Sequence, residues 1–339
     1  MLKSLVALCF IPALALSHSV TVKTVGQLPL GTWLENVAVR SNGDLLVTEF
    51  WPKASVYTVK DPSSCNEGLK ELATVSSIQG ILGIVELPPV PDKPETFVFV
   101  GSNATELSKL IPGTFKAFAI EFHNKRNQAN VKVRKISDMT KASTFLNGVE
   151  AIPGVHNAVL VSDSVKGSVG RLDTSTGIFD DTTFVFPEMA PIAANTFGIN
   201  GIKVRNGYLY FSNSNAVKIY KTALTAAGYP VKGSKPQLVA DLSKVVDFID
   251  DFGFDSHGNI YAASNLDNSV VFVDTKTGKS TIVLGSINEL TVAGSTAVAF
   301  GRTKRDQDTY YVCTAGGLAK PVGGTKTEGA KVVAAKASK

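Results

Sequence analysis

Apolar and polar positions alternate in short runs along most of this chain. In LENVAVRSNGDLLVTEF, Leu34 to Phe50, the apolar positions Val37 and Val39 precede a Ser41-Asn42-Gly43-Asp44 turn, and Leu45, Leu46 and Val47 follow it. That is the pattern of a β-hairpin. It recurs as LNGVEAIPGVHNAVLVSDS from Leu146, INGIKVRNGYLYFSNS from Ile199 and IDDFGFDSHGNIYAAS from Ile249. Looser copies start at Gly80 and Ser295. Each copy opens on a polar or small anchor and ends its second run in Ser, Asp, Asn or Thr. The anchors are Glu35, Gly80, Asn147, Asn200, Asp250 and Thr296, in steps of 45, 67, 53, 50 and 46 residues.

Periods of this size, built from short strands, predict a β-propeller with one four-stranded blade per repeat. Six copies predict an all-β, six-bladed β-propeller. Hairpins with Thr-Gly turns near Ser168 and Ser269 supply outer strands. The last copy lacks a clear outer pair, and SVTVKTV from Ser19 can supply a strand that closes the ring. Helical periodicity is almost absent.

The chain begins MLKSLVALCFIPALALSHS. Lys3, the apolar run Leu5 to Leu16 and small residues after it predict a secretory signal peptide over 1–17, too short to span a bilayer. The ring then covers 18–319. The segment 320–339, rich in Gly, Ala and Lys, is expected to be a disordered tail. Asn103-Ala104-Thr105 is a glycosylation acceptor, so Asn103 is the expected attachment site in a secreted protein. Without the signal, Cys65 and Cys313 remain, and their pairing is open. The net charge of +5 falls to about zero once Lys3 and the tail are set aside, so neither nucleic acid nor a membrane is an expected partner. Oligomeric state is left open.

In a propeller the first strand of each blade lines the central channel. Glu35, Asn147, Asn200 and Asp250 then converge on the axis from four blades, with Asp251 adjacent. Hard oxygens of this kind suit Ca²⁺, and no His or Cys stands among them. The expectation is therefore no cofactor, or Ca²⁺ held by Glu35, Asn147, Asn200, Asp250 and Asp251. Asn and Asp at strand starts are also ordinary turn residues. Trp33, Trp51, Phe145 and Phe197 are candidate aromatic walls for a small apolar substrate. A Gly-rich phosphate loop, a Gly-x-Ser-x-Gly elbow and a metal-spaced Cys/His set are all absent.

Glu35, Asn147-Gly148, Asn200-Gly201, Asp250 and TAVAFGR from Thr296 resemble the calcium-dependent lactonase and phosphotriesterase propellers, the gluconolactonase-like family among them. GTWLENVAVRSNG, FLNGVE, SDSVKGSVGRLDTSTG, GINGIKVRNGYLYFSN, DDFGFDSHGNIY and GSTAVAFGR are similar to a fungal branch that includes hetero-Diels-Alderases. That resemblance implies a cyclase of secondary metabolism joining a tropolone-type quinone methide to a terpene alkene such as humulene. Asn147 and Asn200 would be hydrogen-bond donors, and Glu35 or Asp250 an acid or base. The wider resemblance implies the alternative, a Ca²⁺-dependent lactonase with Asp250 or Asp251 as base. The histidine pair of such lactonases has no match, because His156 and His257 sit in turns expected at the far end of the ring. A propeller that only binds a ligand is the third reading.

Overall fold

The computed structural model describes residues 21–337 apart from 64–67, 108 and 124–130. The signal peptide, His18 and Cys65 lie outside the described residues. Blade 1 is β2 (Trp33–Val39), β3 (Leu45–Trp51), β4 (Ser55–Val59) and β5 (Lys70–Thr74). Blade 2 is β6 (Gly80–Glu86), β7 (Glu95–Ser102), β10 (Lys116–Phe122) and β11 (Val131–Asp138), with a small hairpin, β8 (Ala104–Glu106) and β9 (Lys109–Leu110), between its second and third strands. Blades 3 and 4 are β12 (Leu146–Ala151) to β15 (Phe179–Val185) and β16 (Ile199–Arg205) to β19 (Gln237–Asp241). Blade 5 runs from β20 (Phe252–Phe254) to β23 (Ser280–Gly285). All strand pairs within these blades are antiparallel meanders. The ring of six blades is the six-bladed β-propeller expected.

Blade 6 joins the two ends of the ring. Its order is β24 (Ser295–Phe300), β25 (Thr309–Thr314), β26 (Gly329–Lys336) and β1 (Val22–Leu30). The closing strand expected near Ser19 is β1. The disordered tail is a misreading, since β26 pairs with β25 on one edge and β1 on the other. Gly, Ala and Lys dominate that segment, yet Ala330, Val332, Val333 and Ala335 are buried. Pairing on both edges satisfies a backbone that composition alone would leave in water. Lys331 keeps its ammonium paired with Glu328 at 2.8 Å and with the Leu290 carbonyl at 2.9 Å.

Cores lie between neighbouring blades. Leu34, Leu45 and Val47 of blade 1 pack with Tyr311, Cys313 and Val332 of blade 6. Cys313 is fully buried, its Sγ 3.6 Å from the Asn36 carbonyl. The innermost strands carry bulges at the anchors, at Leu34/Asn36, Ile81/Ile84, Leu146/Val149 and Ile199/Ile202. A bulge frees an N–H and turns a side chain off the pleat.

In blades 1, 3 and 4 a hydroxyl from the second strand repairs the break and ties it to the next blade. Ser162 Oγ accepts from Gly148 N at 2.8 Å and donates to Asn200 O at 2.6 Å. Ser212 does the same for Gly201 N and Asp250 O, at 2.9 Å each. Thr48 links Asn36 N to Leu82 O, and Thr296 Oγ1 donates to Leu34 O at 2.8 Å across the closing seam. The Asn-Gly pairs are therefore strand residues, not turns. A Cβ on Gly148 would stand 2.7 Å from Asn200 O, and one on Gly201 2.2 Å from Asp251 Oδ1, so only glycine allows the strands to approach this closely. The same pattern moves the axial position of blade 2 from Gly80 to Leu82, whose neighbour Gly83 abuts Asn147 O.

Candidate active site on the propeller axis

A cavity of about 260 Å³ opens at the end of the ring where the innermost strands begin. Glu35, Asn147, Asn200 and Asp250 all line it, as the repeat register predicts. All four are buried. Its walls are aromatic and aliphatic. Trp33 meets Phe50 edge to face at 5.5 Å, and Phe145 meets Phe197 at 4.9 Å. Leu82, Phe248 and Ala319 add apolar surface.

Trp33 is more than a wall. Its indole N–H donates to Glu35 Oε2 at 2.6 Å. Asn265 Nδ2 donates to Asp250 Oδ2 at 3.2 Å, and Asn200 Nδ2 donates to Ser214 Oγ at 3.0 Å. The Oδ1 atoms of Asn200 and Asn265 are both buried without a partner. Neighbouring buried acceptors with too few donors are costly. Burial pushes Glu35 up to about 7, against the Trp33 hydrogen bond, with the Asp251 charge adding to the rise. Burial raises Asp250 well above the ordinary range too, helped by the Glu35 charge and opposed by the Asn265 hydrogen bond. Near neutral pH this pair of carboxyls keeps at least one proton.

Asp251 does not belong to this group. It points to the other end of the channel, where Lys203 Nζ lies 2.6 and 2.8 Å from its two oxygens and Asn36 Nδ2 is 2.9 Å away. Adjacent residues in an extended stretch face opposite ways. Trp51 does not line the cavity either; Phe50 does. His123, His156 and His257 are absent from its lining. His156 lines a larger cavity at the opposite end with Glu86 and Arg302. Asn103 precedes the β8–β9 hairpin and is half-buried.

Asn195, Asn215 and Asn265 also line the cavity, and reading the sequence for anchors alone misses them. A signal existed for two of them. Ser214-Asn215 and Ser264-Asn265 stand at the end of the second strand of their blades, their serines each 14 residues after Asn200 and Asp250 respectively. Asn215 Oδ1 accepts from Phe197 N at 2.7 Å and so fixes an aromatic wall.

Protonated carboxyls inside a fold have a consequence for stability. An unfolded glutamate titrates near 4.5, whereas Glu35, Glu49 and Glu150 are each held near 7. Between these values the native state binds protons that the unfolded chain has lost. Stability from these groups is complete below pH 4.5, falls as pH rises toward 7 and is level above. Carboxylates held low, such as Glu95 and Asp181, titrate below this window. Melting in the presence of chelator should therefore occur at lower temperature at pH 7.5 than at pH 5. A shift of the size held at Glu35 is worth roughly 2 kcal/mol between these two pH values, so Glu35→Gln should flatten the slope visibly. An unaltered slope in that variant would contradict the assignment.

No family model matches the chain. A provisionally named hetero-Diels-Alderase of Phoma sp is 33% identical over 309 residues, covering 84% of each chain. A second of that name, from Sarocladium schorii, is 28% identical over 322 residues, covering 86% of this chain and 77% of its own. Among solved structures, a luciferin-regenerating enzyme superposes with a TM-score of 0.63 at 15% identity, covering 94% of this chain and 95% of its own. Regucalcin of Agrobacterium tumefaciens, a calcium-binding protein, gives 0.59 at 12%, covering 94% and 96%. At such identities the solved structures share the fold and no more.

The calcium-binding relative raises the question of whether these residues suit a cation. Among the described residues no group of three or more His, Cys, Asp or Glu stands ready for a metal. The axial set has two carboxylates, completed by the unpartnered amide oxygens of Asn200 and Asn265. Hard oxygens in that number are chemically compatible with Ca²⁺.

Proposed function

Because the chain belongs to the hetero-Diels-Alderase family of six-bladed propellers, we propose that its axial cavity joins a tropolone-type quinone methide to a terpene alkene such as humulene. The observation that carries this reading is the pair of buried carboxyls with raised pKa at the foot of an aromatic-walled cavity. Two steps fit them. In the first, an ortho-hydroxymethyl precursor loses water. The C–O bond breaks as Asp250 gives its proton to the departing hydroxyl, and ionised Glu35 takes the ring O–H proton. The pair again holds one proton, now on Glu35. In the second step a C–C and a C–O bond form together, with no net proton transfer. A remaining carboxyl proton, or the amide of Asn147 or Asn200, donates to the quinone methide oxygen and stabilises the charge that grows there. Holding the reactants together can supply about 7–11 kcal/mol of the barrier in favourable cases. The buried walls also exclude the water that would otherwise capture the quinone methide.

The test is incubation of the pure protein with humulene and a hydroxymethyl-tropolone precursor, followed by chiral separation. One enantiomer formed well above background is expected. A racemic product at the background rate would remove the cyclase reading.

The partnerless oxygens of Asn200 and Asn265 favour a second reading, a Ca²⁺-dependent lactonase. Glu35, Asn147, Asn200 and Asp250 would hold the ion, which would polarise a lactone carbonyl as a Lewis acid. Calcium-stimulated hydrolysis of aldonolactones, lost in Glu35→Ala, would place this reading first. With the expected signal peptide removed and Asn103 glycosylated, either reaction would run in the secretory pathway.

A further inference from the structure

A second cavity of about 350 Å³ adjoins the axial one beside the 186–198 segment that links β15 to β16. Phe145, Asn195 and Phe197 line both cavities. The remaining walls of the second are Val165, Pro191, Ala193, Ala194 and Thr196. No ionisable side chain is among them. The Thr196 hydroxyl is already engaged, donating to Ala193 O at 2.8 Å and accepting from Ala193 N at 3.2 Å. Val165 leaves 45% of its surface exposed at this rim. The two cavities thus differ in kind: one holds two carboxyls and several amides, the other a single amide, that of Asn195, and an engaged hydroxyl.

We infer that the second cavity is the subsite for the hydrocarbon partner, and that Ala193 and Ala194 set the size of the alkene admitted. The inference rests on the cyclase reading. A cycloaddition needs both reactants at once, and 260 Å³ is below the roughly 300–1,000 Å³ usual for a ligand pocket. The reactants differ as the cavities do. The quinone methide carries oxygens that gain from the donors around Asp250. The terpene has no polar atom and loses nothing in a cavity whose polar groups are the Asn195 amide and an already engaged Thr196 hydroxyl, where a polar ligand would recover little of its hydration. The Phe145–Phe197 pair, edge to face at 4.9 Å, is the shared wall at which the two meet.

The experiment reads binding without turnover. Partition of α-humulene from headspace gives its affinity, and quenching of tryptophan fluorescence gives that of tropolone, since Trp33 lines the axial cavity. Ala194→Phe should weaken humulene by at least about tenfold, the scale on which apolar pockets discriminate. Tropolone binding should stay within about twofold of wild type, which also shows that the variant folds. Val165→Asp should weaken humulene in the same way. Unchanged humulene affinity in both variants, equal loss of both ligands, or no humulene binding by wild type would overturn the inference. A wild type that binds both ligands and forms no cycloadduct would overturn the cyclase reading and leave the hydrocarbon subsite standing.

Discussion

Asp250→Asn should lower the rate of cycloadduct formation from the hydroxymethyl precursor by roughly 10²–10⁴-fold, the span expected when a positioned acid is removed. The substitution keeps shape and keeps a hydrogen-bond donor. It removes the proton that must leave with the departing hydroxyl. Starting instead from a preformed quinone methide, the loss should shrink to tenfold or so, because an amide N–H can still donate to the ketone oxygen. Stability should not suffer. Asp250 is buried beside Glu35, and an uncharged amide relieves the desolvation and repulsion that raise its pKa. Rates with the two starting materials, together with a melting curve, check all of this. Equal losses from both would mean that Asp250 acts in ring formation itself and not in the loss of water.

The second large effect is on folding. A chain ending before Gly329 should fail to fold. Strand β26 fills the gap between β25 and β1, and its removal strips both of a pairing edge. Val332 and Val333 are fully buried, at about 1.5–3 kcal/mol each. Buried Ala330 and Ala335 and the orphaned backbone of two strands add to that loss. The total is comparable with the whole net stability of a domain, about 5–15 kcal/mol. Far-ultraviolet circular dichroism of the truncated chain should lack the β signal. A cooperative native-like melt would show instead that blade 6 is dispensable.

That strand marks where sequence reading stopped. Its Lys and Ala content resembles a solvated tail, and nothing local reveals that two partners some 300 residues apart in sequence flank it. The hairpins were legible because each closes through its own turn, as at Ser41 to Asp44, where Gly43 takes φ 93°. The axial residues were legible for a different reason. Bulge, hydroxyl and glycine recur together in blades 3 and 4, and blade 1 keeps the bulge and the Thr48 hydroxyl, so Asn147, Asn200 and Glu35 share a register that the Ser212 bond to Asp250 O extends to blade 5. Asp251 was misplaced because the repeat gives the position of a pair of residues but not which member faces the cavity. The strand pleat decides that, and Lys203 and Asn36 hold the result. Phe50 in place of Trp51 is the same one-residue ambiguity at the end of β3. Asn265 escaped because it follows the second strand, outside the anchor pattern.

The closing blade also bears on when the protein can work. Glu35 sits in blade 1 and Asp250 just ahead of β20 in blade 5, so the two become neighbours only around blade 6. The stitches at that place are Thr296 Oγ1 to Leu34 O and Asp251 N to Thr296 O, at 2.8 and 3.0 Å. Without that blade the two carboxyls would lack the wall between them that takes them out of water. Only when the final strand slots in are they desolvated together and made to share a proton. Activity is then a certificate of assembly, issued by the strand that completes the closing blade.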